Sequence, residues 1–78
     1  MEEQNLNIAR MVDRFCLNIT SMRATRGFTV RELSERTGVS SGALNAYETG
    51  RSKPSLEYAL RIAACFNTDL MDMLNIDF

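Results

Sequence analysis

A chain of 78 residues with 45% apolar and 24% charged side chains can build one modest hydrophobic core but not two, and that balance excludes disorder and fibrous repeats. The chain contains no histidine, carries a net charge of −1, and has no apolar run near the ~18 residues of a membrane span. A histidine-based catalytic or metal site and a spanning helix are thereby set aside, leaving a single soluble domain over residues 1–78 as the expectation.

Residues 1–7 are polar and acidic, unlike a secretory signal, and are expected to fray, with Leu6 available to extend the first helix. From Ile8 to Arg26 the apolar residues Ile8, Met11, Val12, Phe15, Ile19 and Met22 recur at helical spacing, and Gly27 is the stop. This predicts one long first helix from about Ile8 to Arg26, with residues 1–14 an N-terminal extension of the helix-turn-helix domain. Leu6, Met11, Val12, Phe15 and Leu17 offer it more apolar surface than one stripe uses, for packing within the monomer or against a partner.

Thr29 with Glu32 three residues on forms a capping box, so a second helix starts there with Leu33 on its buried side. Gly38 supplies the left-handed residue that lets the chain leave one helix and enter another steeply, and Val39 is the apolar plug beneath the turn. Ser40 is the N-cap of a third helix in which Leu44 and Tyr47 share one face while Ser41, Gly42, Asn45 and Ala46 look the other way. Gly50 ends it. After Pro54, Ser55 caps a fourth helix to about Phe66, with Leu56, Leu60, Ala63, Ala64 and Phe66 predicted to face inward. Thr68 is the predicted cap of a short last helix carrying Leu70, Met71, Met73 and Leu74, followed by Ile76, Asp77 and Phe78, which either fold back or meet a partner. The fold class expected is all-α, five helices around a central helix-turn-helix at about residues 29–49.

The stretch L-S-E-R-T-G-V-S-S-G-A-L-N-A-Y-E-T-G-R-S-K-P resembles the Cro and lambda-repressor-like helix-turn-helix domain, the XRE family, over roughly residues 15–74. Thr29, Leu33, Gly38, Val39, Leu44, Glu48, Gly50 and Pro54 all fall where that family's pattern has them. The resemblance implies a compact five-helix domain that binds double-stranded DNA as a homodimer. It implies a structural ion pair between Arg23 and Glu48 and a recognition helix at about residues 41–48. Carried over position by position, Ser41, Gly42, Asn45 and Ala46 would face the bases, and Thr29, Arg31, Ser40, Arg51, Ser52 and Lys53 would meet the phosphate backbone. Asn45 is the strongest base reader of that set, as an adenine partner. Val30 occupies a position that is commonly a phosphate-binding Gln in the family.

Charge is unevenly spread. Residues 23–53 carry six Arg or Lys against three Glu, while both flanks are acidic, which allows a basic face. Cys16 and Cys65 stand in no metal-ligand spacing and read as small core residues. No nucleophile has a base beside it and no glycine-rich phosphate loop is present, so neither enzyme activity, nor a cofactor, nor a small-molecule substrate is expected. The leading expectation is a cytoplasmic transcriptional regulator of bacterial or phage type, a repressor acting as a dimer on an operator. The alternative is a phage antirepressor of the same fold, docking a partner repressor protein through the small face of Gly42, Ala43 and Ala46. An antitoxin is a third possibility, with little chain left for a toxin-binding segment.

Overall fold

The computed structural model describes the backbone of residues 2–75 and the side chains of residues 7–74. Leu6 and the tail at residues 76–78 therefore lie outside the described side chains. The elements are α1 (Glu2–Arg26), α2 (Val30–Thr37), α3 (Ser41–Glu48), α4 (Leu56–Cys65) and α5 (Leu70–Asn75), with no strand among the described residues. No helix among them is long and apolar enough to cross a membrane.

The first helix starts earlier than its apolar periodicity suggests, at Glu2 rather than Ile8. Glu, Gln and Asn continue a helix without needing a buried face, so a search for apolar spacing misses that turn. It ends as expected: Gly27 takes φ 72°, its N–H donates to the Ala24 carbonyl, and the Phe28 N–H donates to that of Arg23. Those are the two bonds of a Schellman stop. The same pair of bonds closes α3 at Gly50 and α4 at Asn67, whose φ is 54°.

One core joins all five helices. Phe15 and Ile19 of α1, Leu33 of α2, Val39 of the turn, Leu44 and Tyr47 of α3, Ile62 and Phe66 around α4 and Met73 of α5 are all buried. Burying each of the larger of these contributes about 1.5–3 kcal/mol. The α1 stripe is shorter than its apolar residues allow: Met11 and Val12 are half-buried, while Ile8 and Leu17 are 58% and 67% exposed. Asn18 is buried and donates its amide to the Met73 carbonyl at 2.7 Å, tying α5 to α1.

The buried face of α4 differs from the expected one. Ala59, Ile62, Ala63 and Phe66 are buried, whereas Leu56 is 69% exposed, Leu60 49% exposed, and Ala64 exposed. At ~100° per residue the stripe 59/62/63/66 has its centre roughly 70° from Leu56 and 110° from Leu60. They flank it, and Leu56 joins Val12, Phe15, Ala59, Leu70 and Leu74 around a shallow apolar groove. The last helix also departs: Asp69, not Thr68, stands at its head, accepting the Met71 N–H on Oδ1 at 3.3 Å. The Thr68 N–H is already spent on the α4 stop, donating to the Ala63 carbonyl. Of the four apolar residues in α5 only Met73 is fully buried, and Met71 is 52% exposed.

Candidate nucleic-acid interface

The head of α2 is the reciprocal cap that its sequence predicts. Thr29 Oγ1 accepts the Glu32 N–H and Glu32 Oε1 accepts the Thr29 N–H, both at 3.0 Å. The Thr29 N–H holds the Glu32 carboxyl below the usual carboxylate range, helped by the Thr29 hydroxyl and more weakly by Arg36. The head of this helix thus presents an anion, and the Thr29 N–H is committed within the chain. Val30 is half-buried against the core and has no polar group to offer.

The turn is latched at three points. Gly38, at φ 75°, donates its N–H to the Ser34 carbonyl at 2.9 Å. Buried Thr37 donates its hydroxyl to the Leu33 carbonyl at 2.8 Å and accepts the Val39 N–H at 3.1 Å. Arg61, paired with Glu57 on α4, reaches over to the Thr37 carbonyl at 3.3 Å. The angle between α2 and α3 is therefore set by the turn and by the helix behind it.

On α3 Ser40 caps as expected, accepting the Ala43 N–H at 3.1 Å, and Leu44 and Tyr47 are buried. Gly42 and Asn45 are the exposed positions of the outward face. Ser41 and Ala46, expected to look out beside them, are half-buried. For Ala46 the cause is the loop after α3, which folds back so that the Arg51 and Ser52 N–H groups donate to its carbonyl at 2.9 and 3.2 Å. Those two amides are consequently unavailable to a ligand, and the loop can offer only its side chains.

Behind this face, Glu48 is held by α1. Arg23 donates Nε to Glu48 Oε2 and Nη2 to Oε1, both at 2.9 Å, and Thr20 donates its hydroxyl to Oε1 at 3.0 Å. Arg23 Nη1 also donates to the Phe28 carbonyl at 2.7 Å. The side chains are only 20% and 9% exposed, and the bond to Glu48 pushes the Arg23 pKa further up. One guanidinium so joins the end of α1, the loop before α2 and the end of α3. Thr20, an (i, i+3) neighbour of Arg23 on α1, completes the cluster.

The six cations of residues 23–53 divide into two groups. Arg23 is locked to Glu48, Arg26 donates to the Phe66 carbonyl at 2.9 Å with its guanidinium 5.1 Å from that ring, and Arg36 lies 4.1 Å from the Phe28 ring. Arg26 and Arg36 are nonetheless exposed, as are Arg31, Arg51 and Lys53, which form no ion pair or ring contact among the described residues. Arg51 uses Nε on the Thr49 hydroxyl at 3.1 Å, which in turn donates to the Asn45 carbonyl at 2.8 Å, so two guanidinium nitrogens stay available. Lys53 and Ser52 border a groove of about 340 Å³ that also touches Asp13, Cys16 and Leu17. Cys16 and Cys65 are free, Cys65 being half-buried, and burial pushes the Cys16 thiol up. No group of His, Cys, Asp or Glu among the described residues could hold a metal ion.

A helix-turn-helix latched from behind, with its second helix turned outward and three unspent cations nearby, defines a class before any relative is considered. The chain matches the Helix-turn-helix family over residues 19–72, and it belongs to that family in its Cro and lambda-repressor-like, or XRE, form. It is 36% identical over 59 residues to a protein of Archaeoglobus fulgidus described as an uncharacterized HTH-type transcriptional regulator, the match covering 76% of this chain and 84% of that protein. No solved structure gives a significant match.

Proposed function

We propose that this chain is a DNA-binding transcriptional regulator acting in the cytoplasm, a repressor of which two copies bind a pseudo-palindromic operator with α3 of each in the major groove. The observation that carries it is the pairing of an outward α3 face, Gly42 and Asn45, with the exposed cations Arg31, Arg51 and Lys53 on α2 and the loop leaving α3, none of them in an ion pair among the described residues. Family membership and the regulator from Archaeoglobus fulgidus support it. Phosphate contact falls to those three side chains together with the Ser40 and Ser52 hydroxyls, and base contact to Asn45 and Ser41. Thr29 and Ala46 contribute position rather than bonds, since the Thr29 N–H is taken by Glu32 and Ala46 is partly covered by the loop.

Salt dependence tests the proposal. With three phosphate-neutralising cations per protomer, a dimer displaces about six counterions, so affinity should fall about 10³-fold between roughly 50 and 200 mM salt. A monomer would lose only about 40-fold over the same range. In the double variant Arg51→Ala/Lys53→Ala the dimer's loss should shrink to about tenfold. The readout is fluorescence anisotropy of labelled duplex DNA. Binding that is absent even at the lower salt would remove the proposal.

Such absence would favour docking on a partner repressor, which has one observation behind it: the head of α2 presents the Glu32 carboxylate and Val30, neither of which binds phosphate. Against that docking, Ala43 and Ala46 are half-buried, which leaves Gly42 alone as a fully exposed small residue on α3.

A further inference from the structure

Tyr47 belongs to the core, yet its hydroxyl bonds to nothing there. The residue is only 5% exposed, and among the described residues the hydroxyl has no hydrogen-bond partner. A buried phenol ordinarily finds one. No side-chain polar atom sealed from solvent lacks a partner among the described residues, so this hydroxyl is not sealed. It opens on the groove of about 340 Å³ that Tyr47 lines between α1 and the loop leaving α3. Burial, and then Tyr58 and Cys16, hold its pKa above the usual phenol value, so at neutral pH it is protonated and can donate as well as accept.

The other polar groups around the groove divide into taken and free. The Glu48 carboxylate is held by Arg23 and Thr20, the Thr49 hydroxyl by the Asn45 carbonyl and Arg51, and the Ser52 N–H by the Ala46 carbonyl. The Asp13 carboxylate, the Lys53 ammonium and the Ser52 hydroxyl are exposed and form no hydrogen bond or ion pair among the described residues. The two free charges nonetheless act at one point: after burial, the influences on the Cys16 thiol are Asp13, which raises its pKa, and Lys53, which lowers it. Beside them Leu17 is 67% exposed, and a Cβ built on Gly50 would meet nothing within 4 Å. The groove thus combines a fixed hydroxyl donor, one unpaired anion, one unpaired cation and an apolar wall.

We infer that this groove is a binding site for a small zwitterion of the α-amino-acid kind. Asp13 takes the ligand's ammonium, Lys53 and the Tyr47 hydroxyl take its carboxylate, and Leu17 meets its side chain. The volume lies at the low end of the ~300–1,000 Å³ usual for ligand sites, so one small molecule fills it. A ligand with a single charge would leave either Asp13 or Lys53 unmatched. Lys53 and Ser52 are also phosphate contacts in the regulator function proposed above. Resting on that function, ligand and DNA compete for the loop, and the ligand is an effector that releases the operator.

The test adds each standard L-amino acid in turn to the isotope-labelled full chain, followed by amide NMR spectra and thermal unfolding. At least one should shift the amides of Asp13, Leu17, Gly50 and Lys53 saturably and, at about ten times its Kd, raise Tm by about 6–11 °C. Its methyl ester, which lacks the negative charge, and acetate, which lacks the positive one, should bind at least about tenfold more weakly. Tyr47→Phe removes a hydroxyl with no internal partner, so its Tm should stay within about 4 °C of wild type while the ligand binds about tenfold more weakly. Asp13→Asn and Lys53→Gln, at exposed and unpaired positions, should weaken the ligand by a similar factor. The inference is overturned by the absence of any saturable shift, by an equal response to acetate, or by unaltered ligand affinity in Tyr47→Phe. A larger fall in the Tm of Tyr47→Phe overturns it too, since the hydroxyl would then serve the fold. Anisotropy on a duplex enriched by the wild type from a randomised pool reads the competition. Saturating ligand withdraws one cation per protomer and should lower a dimer's affinity by up to about 60-fold near 0.1 M salt. DNA binding unmoved by bound ligand overturns the effector role. Wild type that takes the ligand but binds no duplex removes the regulator function and leaves the site standing, whereas wild type that binds duplex but no amino acid removes only this inference.

Discussion

Glu48→Ala separates a structural joint from a decorative surface pair. The substitution removes the acceptor of two Arg23 bonds at 2.9 Å and of the Thr20 bond at 3.0 Å, leaving the guanidinium with only the Phe28 carbonyl. Breaking a fully buried pair costs about 3–5 kcal/mol and an exposed one about 0–1. With side chains 20% and 9% exposed, this pair lies nearer the buried limit, and about 2–3 kcal/mol is expected. For a domain of this size that lowers Tm by about 10–20 °C. Thermal and urea unfolding followed by circular dichroism measures it. The double variant Arg23→Met/Glu48→Leu should recover at least about 1 kcal/mol relative to the worse single, because no charge is stranded. A Glu48→Ala protein within about 0.5 kcal/mol of wild type, or a double variant as unstable as the sum of the singles, would refute the assignment of Glu48 as the joint between α1 and α3.

The same geometry sets three further outcomes. The folded Glu32 carboxyl titrates below its unfolded value, so its contribution is present above the unfolded carboxyl pKa and lost as pH falls through the folded one. The Tm difference between wild type and Glu32→Gln should accordingly be largest near neutrality and shrink below about pH 4, and a difference independent of pH would contradict the cap. Asn18→Leu leaves the buried Met73 carbonyl without its 2.7 Å donor and should cost about 1–3 kcal/mol. Amide exchange should then rise first in α5, and uniform acceleration across the chain would argue against a local tie. Gly38→Ala forces a β-carbon into φ 75° and within 3.0 Å of Arg61 Nη1, for a loss of about 1–2 kcal/mol in urea unfolding; an unchanged midpoint would contradict it.

What was legible in the sequence is what local chemistry decides. The Thr29–Glu32 box, the Ser40 and Ser55 caps and the glycine stops each depend on a few adjacent residues, and each stands as expected. The misses share a cause in distance or in choice among neighbours. Which flank of α4 faces inward is set by α2 and α5, so Leu56 and Leu60 look like core on spacing alone and are not. Thr68 and Asp69 are adjacent and both good caps, so spacing does not choose between them, and it is Asp69 whose carboxylate accepts a first-turn N–H. Where the cations are tied is likewise decided at a distance: the acceptor of Arg26 lies forty residues away and the partner of Arg23 twenty-five. No spacing rule finds such partners.

The small number of free groups bears on why two copies would be needed. If Asn45 reads one base pair, a protomer gains about 1–3 kcal/mol of discrimination, or roughly 5- to 150-fold. Regulators typically prefer their sites by at least about 10³-fold over bulk DNA. One protomer falls short, whereas two acting on linked half-sites multiply their preferences to roughly 25-fold to 2 × 10⁴-fold, whose upper part passes that mark. Few phosphate contacts help here as well, since weak non-specific binding leaves the protein less distracted by bulk DNA. An overall charge of −1 is then compatible with an operator-binding protein, provided the dimer supplies by multiplication what each recognition face lacks in side chains. An obligate monomer that nevertheless discriminated its site by more than about 10³-fold would need a base reader beyond Asn45 and Ser41, and the exposed face of α3 offers none.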